Sequence, residues 1–396
     1  MKRKICFLAD SIFTIGGVQR VTAVVAKELS RRHEVTVVTF DDPASADRTL
    51  YGLDASPVTF RFIRYPSVSF FERFCCKAYS AVYRKLRLRG RRASDLYALS
   101  SLPSPLRRCL ADELRRGGYD VVVGVHAPLA VRLATVSKNL PGVKTIGWIH
   151  NSFEALYGEG SLYIGPELLR HYVCQLGRLG EVVVLSRHDA EAYRRCDGRL
   201  QPRVVYNPLT LEPGPRSKGT SRRFLAVGRF SHRHKGFDLL IEAFHRFAQH
   251  DDEWSLDIVG EGPEEPLYRE LIARYGLGRR VWLHPFTTRV QQYYSAAQVY
   301  VLSSRWEGFG LVLVEAMAHG LPVVSSDLPT SREIMGAHAL YFANGNVDEL
   351  AQRLSEATRM DWRRYSDEAI AVARRFRADG IMAEWEQLLA NDKDTE

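Results

Sequence analysis

Short apolar runs rich in β-branched residues recur along the whole chain, and this recurrence constrains the fold more than any other feature. In the first half the runs are Ile5–Ala9, Val35–Phe40, Val121–Val125, Thr145–Ile149, Val182–Leu185 and Val204–Tyr206. In the second half they are Phe224–Val227, Leu256–Val259, Val281–Leu283, Val299–Leu302 and Pro322–Ser325. Helical or basic segments separate the runs, and such alternation indicates βα units on a parallel sheet. The pattern predicts an α/β fold.

The two series of runs are separated by an aperiodic stretch that contains Pro208, Pro213, Pro215 and Gly219. A chain of 396 residues is also longer than one hydrophobic core normally serves. We therefore predict four parts. They are an N-terminal domain at 1–208, a linker at 209–223, a C-terminal domain at 224–380, and a helix with a tail at 381–396. The last helix follows a break at Gly380, and packing back on the N-terminal domain is one arrangement open to it.

Composition and the start of the chain favour a soluble cytoplasmic protein. Hydrophobic residues make up 45% and charged residues 26%, and no run approaches the roughly 20 apolar residues of a membrane span. The run Ile5–Ala9 ends at Asp10, which is too short for the apolar region of a signal peptide, so we interpret it as the first strand. The six cysteines show no metal-ligand spacing, and we expect reduced thiols.

Positive charge is concentrated in one part of the chain. Residues 61–118 hold fourteen Lys/Arg and four Asp/Glu, a net charge of +10, whereas the whole chain carries +9. A local patch indicates one anionic partner surface and argues against nucleic acid. Within 70–92, helical spacing places one set of apolar residues on one face and a set of basic residues largely on the other. The apolar set is Phe71, Cys75, Ala78, Val82 and Leu86, and the basic set is Arg73, Lys77, Arg84 and Arg91.

An amphipathic basic helix of this kind is typical of proteins that dock on an anionic membrane surface. The alternative is a helix that packs on its own domain and leaves a solvated basic face. Both interpretations remain open from the sequence.

The segment Glu307-Gly-Phe-Gly-Leu-Val-Leu-Val-Glu315 carries the strongest chemical signal. It follows the run Val299–Leu302, and ligands of parallel sheets bind at the carboxyl ends of the strands. Gly308 and Gly310 permit close backbone approach, and N–H groups at the start of the next helix suit a diphosphate. The two carboxylates are placed to contact different parts of one ligand. On spacing alone, an ordinary glycine-containing turn with solvated glutamates remains an alternative.

This segment resembles the E-x7-E element of retaining glycosyltransferases of family 4, which have the GT-B fold. Further segments match the family in its order along the chain. They are Gly16-Gly17-Val-Gln-Arg20, Trp148-Ile-His150-Asn-Ser, Val227-Gly-Arg-Phe-Ser-His-Arg-His-Lys235-Gly, Val259-Gly-Glu-Gly-Pro263 and Gly320-Leu-Pro-Val-Val324. The resemblance implies two Rossmann-like parallel-sheet domains facing across a cleft. It also implies transfer of a sugar from a nucleotide diphosphate with retention of configuration.

The resemblance also implies roles for individual residues. Arg229 and Lys235 would stabilise the leaving diphosphate, as two convergent cations do without a metal. Glu315 would bind the donor ribose and Glu307 the hydroxyls of the transferred sugar. The remaining donor-binding residues implied are Gly16, Gly17, Phe286, Gly308, Phe309 and Gly310. Gly16 and Gly17 would face the phosphate or the acceptor across the cleft, and the backbone at Pro285 and Phe286 would read the base.

His150 resembles the active-site histidine of the family, and its implied task is a hydrogen bond to the donor sugar. His126, which follows another apolar run, is a second candidate. Retention is expected by front-face attack, in which the leaving phosphate takes the acceptor proton and no side-chain nucleophile is needed. We expect no cofactor and no metal, because the only Asp-x-Asp triplet is Asp392-Lys-Asp394 in a polar tail.

The leading hypothesis is a hexosyltransferase of surface polysaccharide biosynthesis. Its expected donor is a UDP-sugar carrying a hexose or N-acetylhexosamine, and its acceptor a glycan or a lipid-linked glycan. We expect it in the cytoplasm, peripheral on the inner face of the membrane. A non-catalytic nucleotide- or anion-binding Rossmann-like protein is the alternative. A nicotinamide-dependent dehydrogenase is disfavoured because Val259-Gly-Glu-Gly-Pro263 lacks the third glycine of the dinucleotide fingerprint.

Overall fold

The computed structural model describes residues 1–88, 90–159 and 161–390. The chain divides into two compact units, which are described separately. The first comprises Met1–Pro208 together with the segment that begins at Ala378, and the second comprises Leu209–Arg377. Each unit holds one parallel sheet with helices in its connections, so the predicted α/β class with two Rossmann-like domains is confirmed.

The sheet of the first unit has the order β3-β2-β1-β4-β5-β6-β7. Its strands are β1 Lys4–Ala9, β2 Glu34–Thr39, β3 Thr59–Phe62, β4 Val121–Val125, β5 Lys144–Trp148, β6 Glu181–Val184 and β7 Arg203–Val204. The central strand β1 pairs with both β2 and β4, and Ile5 to Leu8 are fully buried. Continuous apolar runs of this kind suit a parallel sheet that is covered on both faces. The apolar runs did not predict β3, an edge strand whose residues are exposed or only partly buried.

Helices connect these strands. They are α1 Gly17–Ser30, α2 Phe70–Lys85, α3 Arg91–Ser101, α4 Ser104–Gly117, α5 Ala127–Val136, α6 Phe153–Tyr157, α7 Leu169–Leu176 and α8 Arg187–Cys196. The basic segment therefore forms two helices, and the expectation that Arg91 shares a helix with Arg73 and Lys77 is wrong. The first of these helices ends at Lys85, Arg87 adopts a left-handed conformation with φ of 47°, and Gly90 caps the next helix.

The sheet of the second unit has the order β10-β9-β8-β11-β12-β13. Its strands are β8 Arg223–Val227, β9 Ser255–Val259, β10 Val281–His284, β11 Val299–Leu302, β12 Val323–Ser326 and β13 Leu340–Phe342. Its helices are α9 His232–Lys235, α10 Phe237–Ala248, α11 Glu265–Arg274, α12 Gln291–Ala296, α13 Leu311–Ala318, α14 Pro329–Met335, α15 Val347–Ala357 and α16 Trp362–Ala373. The short edge strand β13 was also missed. Since β8 and β11 are neighbouring parallel strands in the middle of the sheet, the loops that follow them lie side by side at the carboxyl ends of the strands.

The segment expected as a linker packs within the second unit. The N–H of Leu209 donates to the carbonyl oxygen of Phe376 at 2.7 Å, and the N–H of Ser217 donates to that of His319 at 3.0 Å. Its backbone groups thus find partners in the unit that follows.

The last helix, α17 Ala378–Leu389, belongs to the first unit. Trp385 on this helix is fully buried, with its ring 4.8 Å from that of Trp148 and 6.1 Å from that of Phe7. The expected break at Gly380 is wrong, because this glycine lies inside the first turn of the helix. Across the residues that the structure describes, no helix combines the length and apolar character needed to span a membrane.

Candidate active site

Glu307 lies in the loop between β11 and α13, at the carboxyl edge of the second sheet. The residue is only 7% exposed. Its Oε1 accepts hydrogen bonds from Nζ of Lys235 and from Oγ of Ser304, each at 2.6 Å, and its Oε2 lies 3.8 Å from Nε2 of His234. The fold therefore joins Glu307 and Lys235, which are 72 residues apart in the sequence, in a direct ion pair.

The surroundings of Glu307 keep its carboxylate charged. Burial by itself would raise the pKa of Glu307, but the ammonium of Lys235 and the ring of His234 act in the opposite direction and hold that pKa well below its usual range. Glu307 is therefore ionised at neutral pH. Removing one member of such a buried pair leaves the other charge without a partner, which is costly.

Lys235 reaches Glu307 because the loops after β8 and β11 pack closely. Gly236, which ends α9, has φ of +63°, and a Cβ at this position would lie 2.2 Å from the carbonyl oxygen of Ser303. Oγ of Ser303 donates to the carbonyl oxygen of Lys235 at 2.8 Å. Only glycine satisfies both the left-handed conformation and the close approach. A larger residue at 236 would push the two loops, and with them the ion pair, apart.

Three further residues surround this pair, and the sequence pattern did not point to them. His234 stacks on Trp306 with ring centroids 5.1 Å apart and planes within 6° of parallel, and Ser304 donates to Glu307. Proximity in the chain was the available signal, because His234 directly precedes Lys235 and the other two lie within three residues of Glu307.

Arg229 follows β8 and presents an exposed side chain. Among the described residues its guanidinium has no ion-pair partner, whereas Lys235 is engaged with Glu307. Among the described residues of this segment, Lys235 is therefore held by a carboxylate, whereas Arg229 is exposed and without an ion-pair partner. The side chain of Arg233, in the same segment, lies outside the described part of the chain.

Glu315 lies on α13 and is 1% exposed. Its Oε2 accepts a hydrogen bond from the hydroxyl of Tyr294 at 3.0 Å, and its Oε1 accepts one from the hydroxyl of Thr210 at 3.2 Å. Two protein hydroxyls therefore orient this carboxylate.

The segment after Pro208 also reaches the helix that carries Glu315. His319 donates from Nδ1 to the carbonyl oxygen of Glu315 at 2.7 Å and accepts at Nε2 from the N–H of Gly214 at 3.0 Å. These two bonds set the tautomer of His319. Nothing in the sequence pattern pointed to Thr210, because it lies in an aperiodic stretch far from Glu315 in the chain.

The residues between the two glutamates differ in what they present. Gly310 caps α13 with φ of +84°, and Gly308 is partly exposed. Phe309 is buried with its ring 5.6 Å from that of Phe376, so only its backbone is left for a ligand. Phe286, which follows β10, is 38% exposed.

The glycines of Val259-Gly-Glu-Gly-Pro263 serve backbone packing. A Cβ on Gly260 would lie 1.9 Å from the carbonyl oxygen of Gly228, and one on Gly262 would lie 2.6 Å from that of Phe230. The N–H of Phe230 donates to the carbonyl oxygen of Glu261 at 2.8 Å. This motif therefore supports the loop that carries Arg229.

In the first unit, two histidines follow the neighbouring strands β4 and β5. The rings of His126 and His150 lie 5.4 Å apart, and that of His150 lies 4.2 Å from Trp148. Burial, and then the nearby His126, hold the pKa of His150 well below its usual range, so the imidazole is neutral. Among the described residues, its Nε2 is buried without a hydrogen-bond partner. His126 itself has φ of 73°, an uncommon conformation for a histidine.

Gly16 and Gly17 form the start of α1, as cap and first residue. The N–H of Gly16 donates to the hydroxyl of Tyr51 at 3.0 Å, and this hydroxyl donates to the carbonyl oxygen of Thr14 at 3.1 Å. Tyr51, which sequence analysis missed, thus holds the glycine turn in place.

Within the described ranges, no three or more His, Cys, Asp or Glu side chains are grouped in a way that could hold a metal ion. The triplet Asp392-Lys-Asp394 lies outside those ranges.

Family models match both units. The model described as "Glycosyltransferase Family 4" matches residues 15–213, and the model described as "Glycosyl transferases group 1" matches residues 221–359. With its two Rossmann-like domains, the protein is thus a glycosyltransferase of the GT-B fold class. The chain belongs to glycosyltransferase family 4, which confirms the resemblance seen in its motifs.

The chain is similar to proteins from several bacteria. It is 26% identical to an uncharacterized glycosyltransferase of Haemophilus influenzae, over 74% of this chain and 85% of that protein. It is 27% identical to an exopolysaccharide phosphotransferase of Streptomyces coelicolor, over 97% of this chain and 40% of that protein. It is 34% identical to a lipopolysaccharide core biosynthesis mannosyltransferase of Rhizobium meliloti, over 32% of this chain and 36% of that protein.

Two solved structures show the same fold. HepE from Anabaena in complex with UDP and glucose has a TM-score of 0.74 at 22% identity, over 98% of this chain and 99% of that one. TarM from S. aureus, as a mutant in complex with Fondaparinux, alpha-GlcNAc-glycerol and UDP, has a TM-score of 0.76 at 13% identity, over 98% of this chain and 100% of that one.

Proposed function

We propose that this enzyme is a retaining, metal-independent hexosyltransferase that uses a UDP-sugar. The observation that carries the proposal is the cluster in which Lys235 and Ser304 hold the buried carboxylate of Glu307, in a loop next to the exposed Arg229. This cluster lies at the sheet edge where ligands of parallel sheets bind.

The reaction needs positive charge where the diphosphate leaves. The bond between the anomeric carbon and the phosphate oxygen breaks, and a bond to the acceptor oxygen forms on the same face. The acceptor proton passes to the departing phosphate oxygen. Lys235 and Arg229 supply the stabilising charge, since a preorganised cation is worth most where charge develops. No side-chain nucleophile and no cofactor take part.

Glu307 and Glu315 divide the donor between them. One oxygen of Glu307 is engaged by Lys235 and Ser304, which leaves Oε2 to accept hydrogen bonds from the sugar hydroxyls. Glu315 accepts from the ribose hydroxyls and is oriented by Tyr294 and Thr210. The unpartnered Nε2 of the neutral His150 suits a hydrogen bond to a sugar hydroxyl.

Two kinds of similarity support the donor and the pathway. Solved neighbours hold UDP, one of them together with glucose. Relatives are named for exopolysaccharide and lipopolysaccharide synthesis. We therefore assign the enzyme to surface polysaccharide synthesis, with a glycan or lipid-linked glycan as acceptor. Its place is the cytoplasm, peripheral on the inner face of the membrane.

Activity is expected to persist in excess EDTA, because Lys235 and Arg229 supply the charge that a metal would otherwise provide. The measurement is release of free nucleotide from a panel of UDP- and GDP-sugars, with and without EDTA. The anomeric configuration of the product is read by NMR. Loss of activity in EDTA with recovery in Mn²⁺ would contradict metal independence, and tight donor binding without any turnover would favour a non-catalytic binding protein.

Replacing Tyr294 by phenylalanine is expected to raise KM for the donor about tenfold, because a hydrogen bond to a charged group contributes roughly 1.5 kcal/mol or more. The value of kcat should change little, since Tyr294 acts through the ribose-binding Glu315. Tyr293→Phe is the matched control and should stay within about twofold of wild type, because the ring of Tyr293 lies 4.9 Å from that of His284, whereas Tyr294 donates to the carboxylate. Equal effects of the two variants would contradict the assignment of Glu315.

A further inference from the structure

The helix α2 exposes an unusual number of large apolar side chains. Phe70, Phe71 and Phe74 near its start are 86%, 75% and 62% exposed, and Val82 and Leu86 near its end are 46% and 64% exposed. We call these five residues the α2 apolar ridge. A contiguous exposed apolar surface of this kind marks a site of interaction.

The opposite side of α2 packs on α3 and fixes which side faces outward. Tyr83 is buried with its ring 4.4 Å from that of Tyr97, and the hydroxyl of Tyr79 donates to the carbonyl oxygen of Ala93 at 3.0 Å. Ser94 on α3 is in turn hydrogen-bonded to His171 on α7 at 3.0 Å. Helix α2 is therefore held through its tyrosines, and the ridge stays exposed in the folded chain.

Basic residues surround the ridge. Residues 70–92 contain eight Lys/Arg and one acidic residue, Glu72, a net charge of +7. Glu72 is already engaged, because its Oε1 accepts from the N–H of Ser104 at 2.7 Å. Arg84 is engaged as well, since its Nε donates to the hydroxyl of Tyr97 at 2.9 Å. Arg73, Lys77 and Lys85 are exposed on the same helix, and within the described ranges no hydrogen bond or ion pair occupies their side chains.

We propose that the α2 apolar ridge inserts into an anionic lipid surface while Arg73, Lys77 and Lys85 bind the lipid headgroups. Aromatic side chains bordered by lysine and arginine match the interfacial zone of a bilayer, which is apolar on one side and negatively charged on the other. Charge complementarity favours this occupant over a second copy of the chain, because two segments of +7 repel each other. The inference names a docking surface outside the candidate active site and goes beyond the proposed reaction.

The test is sedimentation of the full chain with vesicles of phosphatidylglycerol and phosphatidylcholine, or of phosphatidylcholine alone. Wild type is expected to pellet with the anionic vesicles only, and 0.5 M salt is expected to reduce the bound fraction, since screening at roughly this ionic strength weakens headgroup attraction. The basic variant Arg73→Gln, Lys77→Gln, Lys85→Gln should bind at least about tenfold more weakly. The ridge variant Phe70→Ser, Phe71→Ser, Phe74→Ser should also bind at least about tenfold more weakly, because it loses the inserting surface.

A matched control removes the same charge elsewhere. Lys218→Gln, Arg279→Gln, Arg359→Gln takes three exposed basic residues from the second unit and should bind within about twofold of wild type. Arg84 is left in place in all variants because it supports the packing of Tyr97. Circular dichroism checks that each variant is folded, and donor hydrolysis in the absence of vesicles should be the same in all of them.

Three results would overturn the proposal. The first is equal pelleting of wild type and both α2 variants, and the second is equal binding of wild type to anionic and neutral vesicles. The third is that wild type does not bind vesicles but forms a concentration-dependent dimer, which the ridge variant abolishes. Failure of donor hydrolysis with normal vesicle binding would instead count against the proposed reaction and support the docking surface.

Discussion

Replacing Lys235 by methionine is expected to lower turnover at least about a hundredfold, because the proposed reaction uses this cation to stabilise the leaving diphosphate. The effect should appear in kcat and in kcat/KM, measured as release of nucleotide from the best donor of the panel. Methionine keeps much of the length of the lysine stem, so packing against Gly228 is largely preserved.

Because Lys235 is paired with Glu307, its replacement also affects stability, and a second variant separates this effect from the effect on turnover. Without Lys235 the buried carboxylate of Glu307 loses its main partner, and breaking such a pair typically costs about 3–5 kcal/mol of stability. The double variant Lys235→Met, Glu307→Gln removes both charges and should recover much of the free energy of unfolding, measured by urea denaturation. Its turnover should remain low. Near-normal turnover in either folded variant would contradict the role of Lys235.

Replacing Glu307 by glutamine is expected to lower turnover at least about a hundredfold, because the proposed reaction needs its charged oxygen to accept hydrogen bonds from the sugar hydroxyls. Glutamine keeps the shape of the side chain and can still accept from Ser304, so the loop should remain in place. The measurement is kcat at saturating donor. Glu270→Gln changes an exposed glutamate on α11 and is the matched control, expected within about twofold of wild type.

The two substitutions are also expected to be non-additive. Residues in direct contact share part of their effect, so the double variant should lose less activity than the product of the single losses. Additive losses would indicate that Lys235 and Glu307 act on the reaction independently, despite the 2.6 Å contact between them.

Much of the fold could be predicted because the buried strands of a parallel sheet are visible in the sequence as apolar runs. Central strands such as β1, β4 and β11 are buried on both faces and read as continuous apolar runs. The strands β3 and β13 were missed because they are short and consist mostly of exposed or partly buried residues, so neither forms a continuous buried apolar run. The expected break at Gly380 was wrong because one glycine in the first turn of a helix does not end it.

Residues of the candidate site were predicted unevenly. Glu307, Glu315, Arg229 and Lys235 stand in motifs that the family resemblance could identify. Tyr294 and Thr210 were not found, because their partner Glu315 lies 21 and 105 residues away in the chain. No local sequence pattern predicts a contact between residues that are so far apart. Tyr51 was missed for the same reason, being 35 residues from the glycine whose N–H it accepts.

The sequence by itself determined the class of fold and the family, because hydrophobic periodicity and motif spacing are local properties of the chain. Only the tertiary structure decided that Lys235 and Glu307 form an ion pair, and which side of α2 faces outward. Helix α2 carries tyrosines on one side and phenylalanines on the other, so periodicity alone cannot tell which side is buried. The fit of Tyr83 against Tyr97 makes that choice, since burial of a helix position depends on the shape of the neighbour that packs on it from another helix.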